Sequence, residues 1–241
     1  MSLRDRIQKP FRSPDGWFFR HTGGFVRRSR QKKYELFQKH LAPQPTARIL
    51  DVGAVNHPWR FSNFLERLYP YPGRIVAVSL QRLNVFRVRF LDIPAVQADG
   101  RLLPFYDQCF DIVFSNAVVE HVGTHESQRR FVHELLRVGR SAYITTPNRY
   151  FPLDSHTMLP FVHLLPQNMR PRIYTLFGKR GWADPQALNM LSGREFRALF
   201  PPGVPVRMLK QRTLGLCYGF IAIVGFDEGT AASKSPPQET S

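Results

Sequence analysis

The sequence predicts an α/β fold: a mostly parallel sheet with helices on both faces. Three observations carry this. Short apolar runs recur through the middle of the chain, each separated from the next by a helical or turn-forming stretch. The chain has 241 residues, enough for one sizeable α/β domain. Apolar residues make up 43% and aromatics 13%, enough to fill a core and too many for wholesale disorder.

The elements are taken in chain order. Residues 1–40 hold 11 Lys/Arg and 3 Asp/Glu, a net +8 out of +16 for the chain. From Arg27 to Leu41 nothing breaks a helix, and Tyr34, Phe37 and Leu41 recur at three- and four-residue spacing, so residues 1–44 read as a basic arm ending in an amphipathic helix. Ala47 to Val52 reads as a buried strand and Pro58 to Tyr69 as a helix. Arg74 to Leu80 is a second strand, Asp92 to Gln97 a short third and Phe110 to Ser115 a fourth. A helix over Glu126–Val138 repeats apolar positions at Phe131, Leu135 and Val138, and Ser141–Thr145 is a fifth strand. Residues 147–190, rich in proline and aromatics, interrupt the alternation as an insertion. Ser192 and Glu195 form a capping box that starts a helix reaching Phe200. Val204–Lys210 and Gly219–Phe226 complete the strands, and residues 227–241 lack the apolar groups to fold.

Several classes are excluded. Two cysteines, Cys109 and Cys217, cannot build a disulfide framework and suit a reducing compartment. The longest apolar stretch, Leu214 to Phe226, is 13 residues, against about 20 for a membrane span. No transmembrane segment is therefore expected, and the location expected is cytoplasmic. The basic arm could still touch an anionic membrane peripherally, or RNA.

In a parallel sheet, ligands collect at the carboxyl ends of the strands. The first strand ends Ile49-Leu50-Asp51-Val52-Gly53-Ala54, where an acid closes a buried strand and a glycine lets the backbone turn under a ligand. Together with Asp99-Gly100 and Leu103-Pro104-Phe105, then Phe110-Asp111-Ile112-Val113-Phe114-Ser115-Asn116, then Glu120-His121-Val122, this series resembles the class I S-adenosylmethionine-dependent methyltransferases of the type 11 kind. Thr146-Pro147-Asn148-Arg149-Tyr150-Phe151-Pro152 looks like a bacterial branch of that family. The resemblance covers about residues 45–226. It implies a Rossmann-like, seven-stranded sheet with the last strand antiparallel, and S-adenosyl-L-methionine as methyl donor. Asp51 and Gly53 would then lie at its methionine end, with Ala54 also among the donor-binding residues, Ser79 at the ribose, Asp99 and Gly100 at the adenine, and Ser115 and Asn116 where the acceptor enters.

Two departures matter. The glycine-rich loop is reduced to Gly53-Ala54-Val55-Asn56-His57, and the second strand ends in Ser79 where the family has an acid for the ribose hydroxyls. Losing a charge-assisted contact weakens donor binding by ~1–2 kcal/mol, although Gln81 could substitute in part.

Methyl transfer needs in-line positioning, and a base only for a protonated acceptor. His121 is the catalytic residue expected, with Tyr150, Asn148 and His156 as pocket walls. Glu120, His121, His125 and Glu126 have some metal-ligand character. However, Ala117 stands where a related E-x-x-E-H pattern has its first acid, so no metal is expected. The function expected is methyl transfer to a small-molecule or lipid- or glycan-linked acceptor. A contrasting reading is a catalytically weak methyltransferase-like module that binds RNA or anionic lipid through the arm.

Overall fold

The computed structural model describes residues 17–56, 62–153, 157, 159–166, 168–178, 184 and 188–225, with side chains from residue 23 onward. The first sixteen residues, His57, His156 and the carboxy-terminal tail lie outside the described residues.

Strands β1 (Ile49–Val52), β2 (Ile75–Ser79), β3 (Ala95–Gln97), β4 (Phe110–Asn116), β5 (Gly139–Pro147), β6 (Arg207–Thr213) and β7 (Leu216–Val224) form one sheet in the order β3-β2-β1-β4-β5-β7-β6. The pairings from β3 through β5 are parallel, and β7 runs antiparallel to both β5 and β6. This is the sheet that the resemblance implies. Strand order reverses between β1 and β4, so the connections leaving their carboxyl ends diverge and open a crevice.

Alternating residues on the strands face two separate cores. Leu50, Val52, Val113, Ala142 and Ile144 pack against Phe131, Val132, Leu135 and Val138 of a helix over His125–Val138 and Phe196 of another over Gly193–Ala198. Ile49, Ala77, Phe114, Tyr143 and Ile221 face the other way, onto three helices. These are α1 (Trp17–Leu41), α2 (Phe64–Leu68) and α3 (Asn84–Arg89), so the two helices of the first face are α4 (His125–Val138) and α6 (Gly193–Ala198), with α5 (Arg170–Leu176) in the insertion.

Local chemistry explains where these bounds differ from the sequence-based expectation. Strand β3 starts late because Pro94 has no N–H to donate and the Ile93 N–H turns back to the Phe90 carbonyl at 3.2 Å. Helix α2 cannot extend backwards through Asn63, whose φ is +50°. Helix α3, unanticipated from its sequence, has its first N–H groups capped by a side chain from another element. The Asn56 Oδ1 accepts from the N–H groups of Val85 (2.7 Å) and Phe86 (3.2 Å). The β6–β7 hairpin turns on Leu214 and Gly215, both at positive φ, so both strands run on to a tight turn in place of the longer gap expected. The expected capping box is present: Ser192 Oγ accepts from the Glu195 N–H, and the Glu195 carboxylate accepts from the Ser192 N–H at 2.8 Å.

The insertion has a small core of its own, made of Leu159, Val162 and Tyr174. Phe161, at a positive φ, and Leu164 are exposed. Among the described residues, no helix is long and apolar enough to cross a membrane.

Helix α1 is part of the domain. Phe37 is 0% exposed and meets Phe114 and Tyr143 edge-on at 5.4 and 5.6 Å between ring centroids. The Tyr143 hydroxyl donates to the Lys33 carbonyl at 2.7 Å. Truncating a fully buried aromatic costs about 3–5 kcal/mol. Phe37→Ala should lose stability on that scale by urea denaturation, and a loss below about 1 kcal/mol would mean that α1 is only an appendage.

Candidate functional site

Two clefts open at the carboxyl edge of the sheet and share the wall formed by Arg30, Asn116 and Ala117. The β1 cleft, about 210 Å³, is lined by Asp51, Gly53 and Val55 of the first strand end, Ser62 to Glu66 around the start of α2, and Phe114 and His121. The β5 chamber, about 200 Å³, lies between α1, the end of β5 and the β7 strand, with Lys33, Asn148, Gln211 and Tyr218 in its lining. Each alone is below the ~300–1,000 Å³ of ordinary small-molecule sites, and the two together reach it.

In the β1 cleft, Asp51 (6% exposed) and Glu66 (5%) face one another. Burial, then the charge of Glu66, holds the Asp51 carboxyl well above the usual range, and burial raises Glu66 as well. Two carboxylates this close cannot both ionise cheaply. Apart from the proton shared with Asp51 and its own backbone, the Glu66 carboxyl meets no hydrogen-bond donor among the described residues. Gly53 turns the chain at φ +116°, and a side chain there would run into Val118.

The shortened loop is braced by side chains. Asn63 makes two bonds to the backbone of Val55, accepting from its N–H at 3.0 Å and donating to its carbonyl at 2.9 Å. Val55 itself is exposed at the mouth of the cleft and does not block it.

The shared wall is cationic. Lys33 Nζ donates to Asn116 Oδ1 at 2.8 Å and to Thr145 Oγ1 at 3.2 Å, and the Thr145 hydroxyl in turn donates to Asn116 Oδ1 at 2.9 Å. Burial, then the charge of Arg30, pushes Lys33 down to about 8, partly offset by Glu120. Burial and the charge of Arg67 push Arg30 down to about 10. Glu120 is 0% exposed, accepts from the Thr146 hydroxyl at 3.2 Å and lies 4.0 Å from His121 Nε2.

Of the residues expected from sequence, Asp51, Gly53, Asn116 and His121 converge on the β1 cleft. Ala54 is buried beside it, its N–H bonded to the Val78 carbonyl at 3.1 Å. The Ser115 hydroxyl points into the sheet interior. Ser79 Oγ accepts from the Gln81 N–H at 3.3 Å. Asp99 is held by Arg101 through Nε (3.0 and 3.1 Å) and Nη2 (2.6 Å), which keeps its carboxyl below the usual range. Gly100 is pressed against Phe131, where a Cβ would come within 2.5 Å of the ring. Tyr150 is exposed, and Asn148 lines the β5 chamber. No group of three or more His, Cys, Asp or Glu among the described residues is arranged to hold a metal ion.

Sequence reasoning missed Glu66, Arg30 and Lys33. The signal for the two cations was their spacing. Arg30, Lys33 and Phe37 follow one another at i, i+3 and i+7, so they continue the apolar stripe of α1 toward its amino end.

Comparison with known proteins agrees with this architecture. Residues 60–142 match the family described as a methyltransferase domain. An uncharacterized protein of Mycobacterium tuberculosis, represented in strains H37Rv and CDC 1551, is 30% identical over 79 residues, 33% of this chain. That match spans only 27% of the relative's length. Among solved structures, the PH0226 protein of Pyrococcus horikoshii superposes with a TM-score of 0.56 at 12% identity, over 94% of this chain and 100% of that one. The geranyl diphosphate C-methyltransferase of Streptomyces coelicolor, solved with Mg²⁺, geranyl diphosphate and S-adenosyl-L-homocysteine, gives 0.53 at 14% identity over 89% and 86%. At these identities the likeness is one of fold. Residues 60–142 are thus similar to a methyltransferase domain, and they lie within a seven-stranded sheet whose fold is shared with these solved structures.

Proposed function

We propose that this protein transfers the methyl group of S-adenosylmethionine to a small-molecule or lipid- or glycan-linked acceptor. The observation that carries the reading is the paired clefts: an acid-lined one at the end of β1 and a second chamber at the end of β5, adjoining across Arg30, Asn116 and Ala117.

The residues present suit the donor. Asp51 and Glu66 form a buried acidic pair with no donor beyond each other and the Glu66 backbone, and a ligand carrying an ammonium and a sulfonium would supply the missing positive charge. The methyl donor supplies an already activated methyl carbon: as the acceptor atom bonds to it, the carbon–sulfur bond breaks and its electron pair stays on sulfur as a thioether. What remains for the protein is placement and exclusion of water. Gly53 and the braced Val55 backbone shape the floor, and Arg30 lies in the shared wall, within reach of a carboxylate. His121, in the cleft beside Glu120, takes the proton where the acceptor atom carries one.

The contrasting reading, a binding module using the arm, loses part of its basis. Two of the arm's cations, Arg30 and Lys33, line the clefts, while Arg27, Arg28 and Lys32 stay exposed.

Two experiments test the reading. Calorimetric titration with S-adenosylhomocysteine should give saturable binding, weakened at least ~10-fold (about 1.4 kcal/mol) by Asp51→Ala. Absence of binding at millimolar ligand would sink the methyl-transfer reading. The second concerns pH. Asp51 and Glu66 both titrate above their ordinary values in the folded chain, so the folded state holds more protons than the unfolded one above about pH 4–5, and stability falls as pH rises through that window. Glu66→Gln removes the repulsion. In the ligand-free protein it should raise the melting temperature at pH 8 by a few degrees (about 1 kcal/mol), and by less at pH 5. An equal change at both pH values would contradict the shared-proton pair.

A further inference from the structure

We infer that the β5 chamber takes an acceptor with an anionic group, a carboxylate or a phosphate, carried on an apolar or aromatic body, and that Lys33 meets the charge. This rests on the methyl-transfer reading and names the substrate class of that same site.

The chamber's lining is one-sided in charge. Lys33 and Arg30, one turn apart on α1, both contribute to it, and no Asp or Glu among the described residues does. The carboxylate that acts on Lys33, Glu120, lies outside this lining and is engaged by the Thr146 hydroxyl. An ammonium has three donors. Asn116 and Thr145 take two of those of Lys33, which fixes the head group at the wall and leaves a third donor for a ligand. Burying a cation away from a contacting carboxylate costs free energy, and a bound anion offsets that cost. Near neutral pH the amine is still mostly protonated, since burial brings it only to about 8.

The same lining also holds aromatic rings. Phe25 and Phe151 each meet Tyr218, edge-on at 5.2 Å and at 6.2 Å between centroids. A cation and aromatic rings in one lining fit a ligand with a charged head and an apolar body. A neutral polar acceptor would leave Lys33 without its counter-charge. A cationic one would be repelled by it.

The test is calorimetry on the full chain saturated with S-adenosylhomocysteine, using benzoate, phenyl phosphate and benzyl alcohol as probes. At least one anion should bind, with the neutral alcohol at least ~10-fold weaker. Tighter binding of phenyl phosphate would point to a phosphate-bearing acceptor, and tighter binding of benzoate to a carboxylate. Lys33→Met and Lys33→Gln should each weaken the anion at least ~10-fold, and Lys33→Arg should weaken it less. The inference is overturned if benzyl alcohol binds as well as the anions, if no anion binds at millimolar concentration, or if the Lys33 variants bind anions as the natural chain does. Loss of S-adenosylhomocysteine binding together with anion binding in every Lys33 variant would also overturn it, by moving Lys33 to the donor's side. If the natural chain fails to bind S-adenosylhomocysteine, the methyl-transfer reading falls instead, and the anion titrations without it still report on the chamber.

Discussion

The bond network from Lys33 to Asn116 and Thr145 ties the site together. It joins a helix from the amino end of the chain to the tips of β4 and β5, 83 and 112 residues further along the sequence and adjacent in the sheet. Phe37 supplies the apolar anchor one turn further along α1, against Phe114 and Tyr143. The same helix thus closes a core at one end and walls two clefts at the other. Without α1, Phe114 and Tyr143 would lose their cover, and the end of β5 would open to water.

The charges at this edge are arranged against stability. Asp51 and Glu66 repel, Arg30 and Lys33 repel, and burial penalises all four. A protein selected for stability alone would not gather them in one place, and concentrated local conflicts of this kind are what functional sites commonly show. Their order in space also has a logic. The acidic pair is confined to the cleft at β1, and the cations form the wall toward the chamber at β5. A ligand spanning both would therefore present positive charge at one end and negative charge at the other.

Much of the sheet was legible because buried parallel strands are continuous apolar runs. The runs within Ala47–Val52, Phe110–Ser115 and Ser141–Thr145 stand out for that reason, and the capping box at Ser192 stands out by its spacing. Helix α3 was not legible, because its cap is Asn56, 29 residues before Val85, and nothing within Asn84–Arg89 announces it. Of the site, Asp51 and Gly53 could be found by their position after an apolar run, and Asn116 through the family resemblance. Lys33 and Arg30 could not be found by composition, since a charge on a helix ordinarily faces water. Only their phase on the stripe with Phe37 marks them as inward. Glu66 was hidden because it stands beside Arg67 in a five-residue helix, too short to show a periodicity.

The reduced glycine loop shows how one local solution replaces another. Glycines let a backbone pass close beneath a ligand, at the cost of an unconstrained chain. Here one glycine, Gly53, makes the turn, and two asparagines secure the residues after it: Asn63 clamps both polar groups of Val55, and the Asn56 side chain reaches across to the start of α3. Side-chain hydrogen bonds fix the path of the loop while leaving Val55 at the cleft mouth. The same substitution of neutral groups for a specialised one occurs at the end of β2, where Ser79 and Gln81 bond to each other instead of presenting an acid. The β1 cleft thus keeps its two acids, Asp51 and Glu66, buried behind a turn held by neutral side chains.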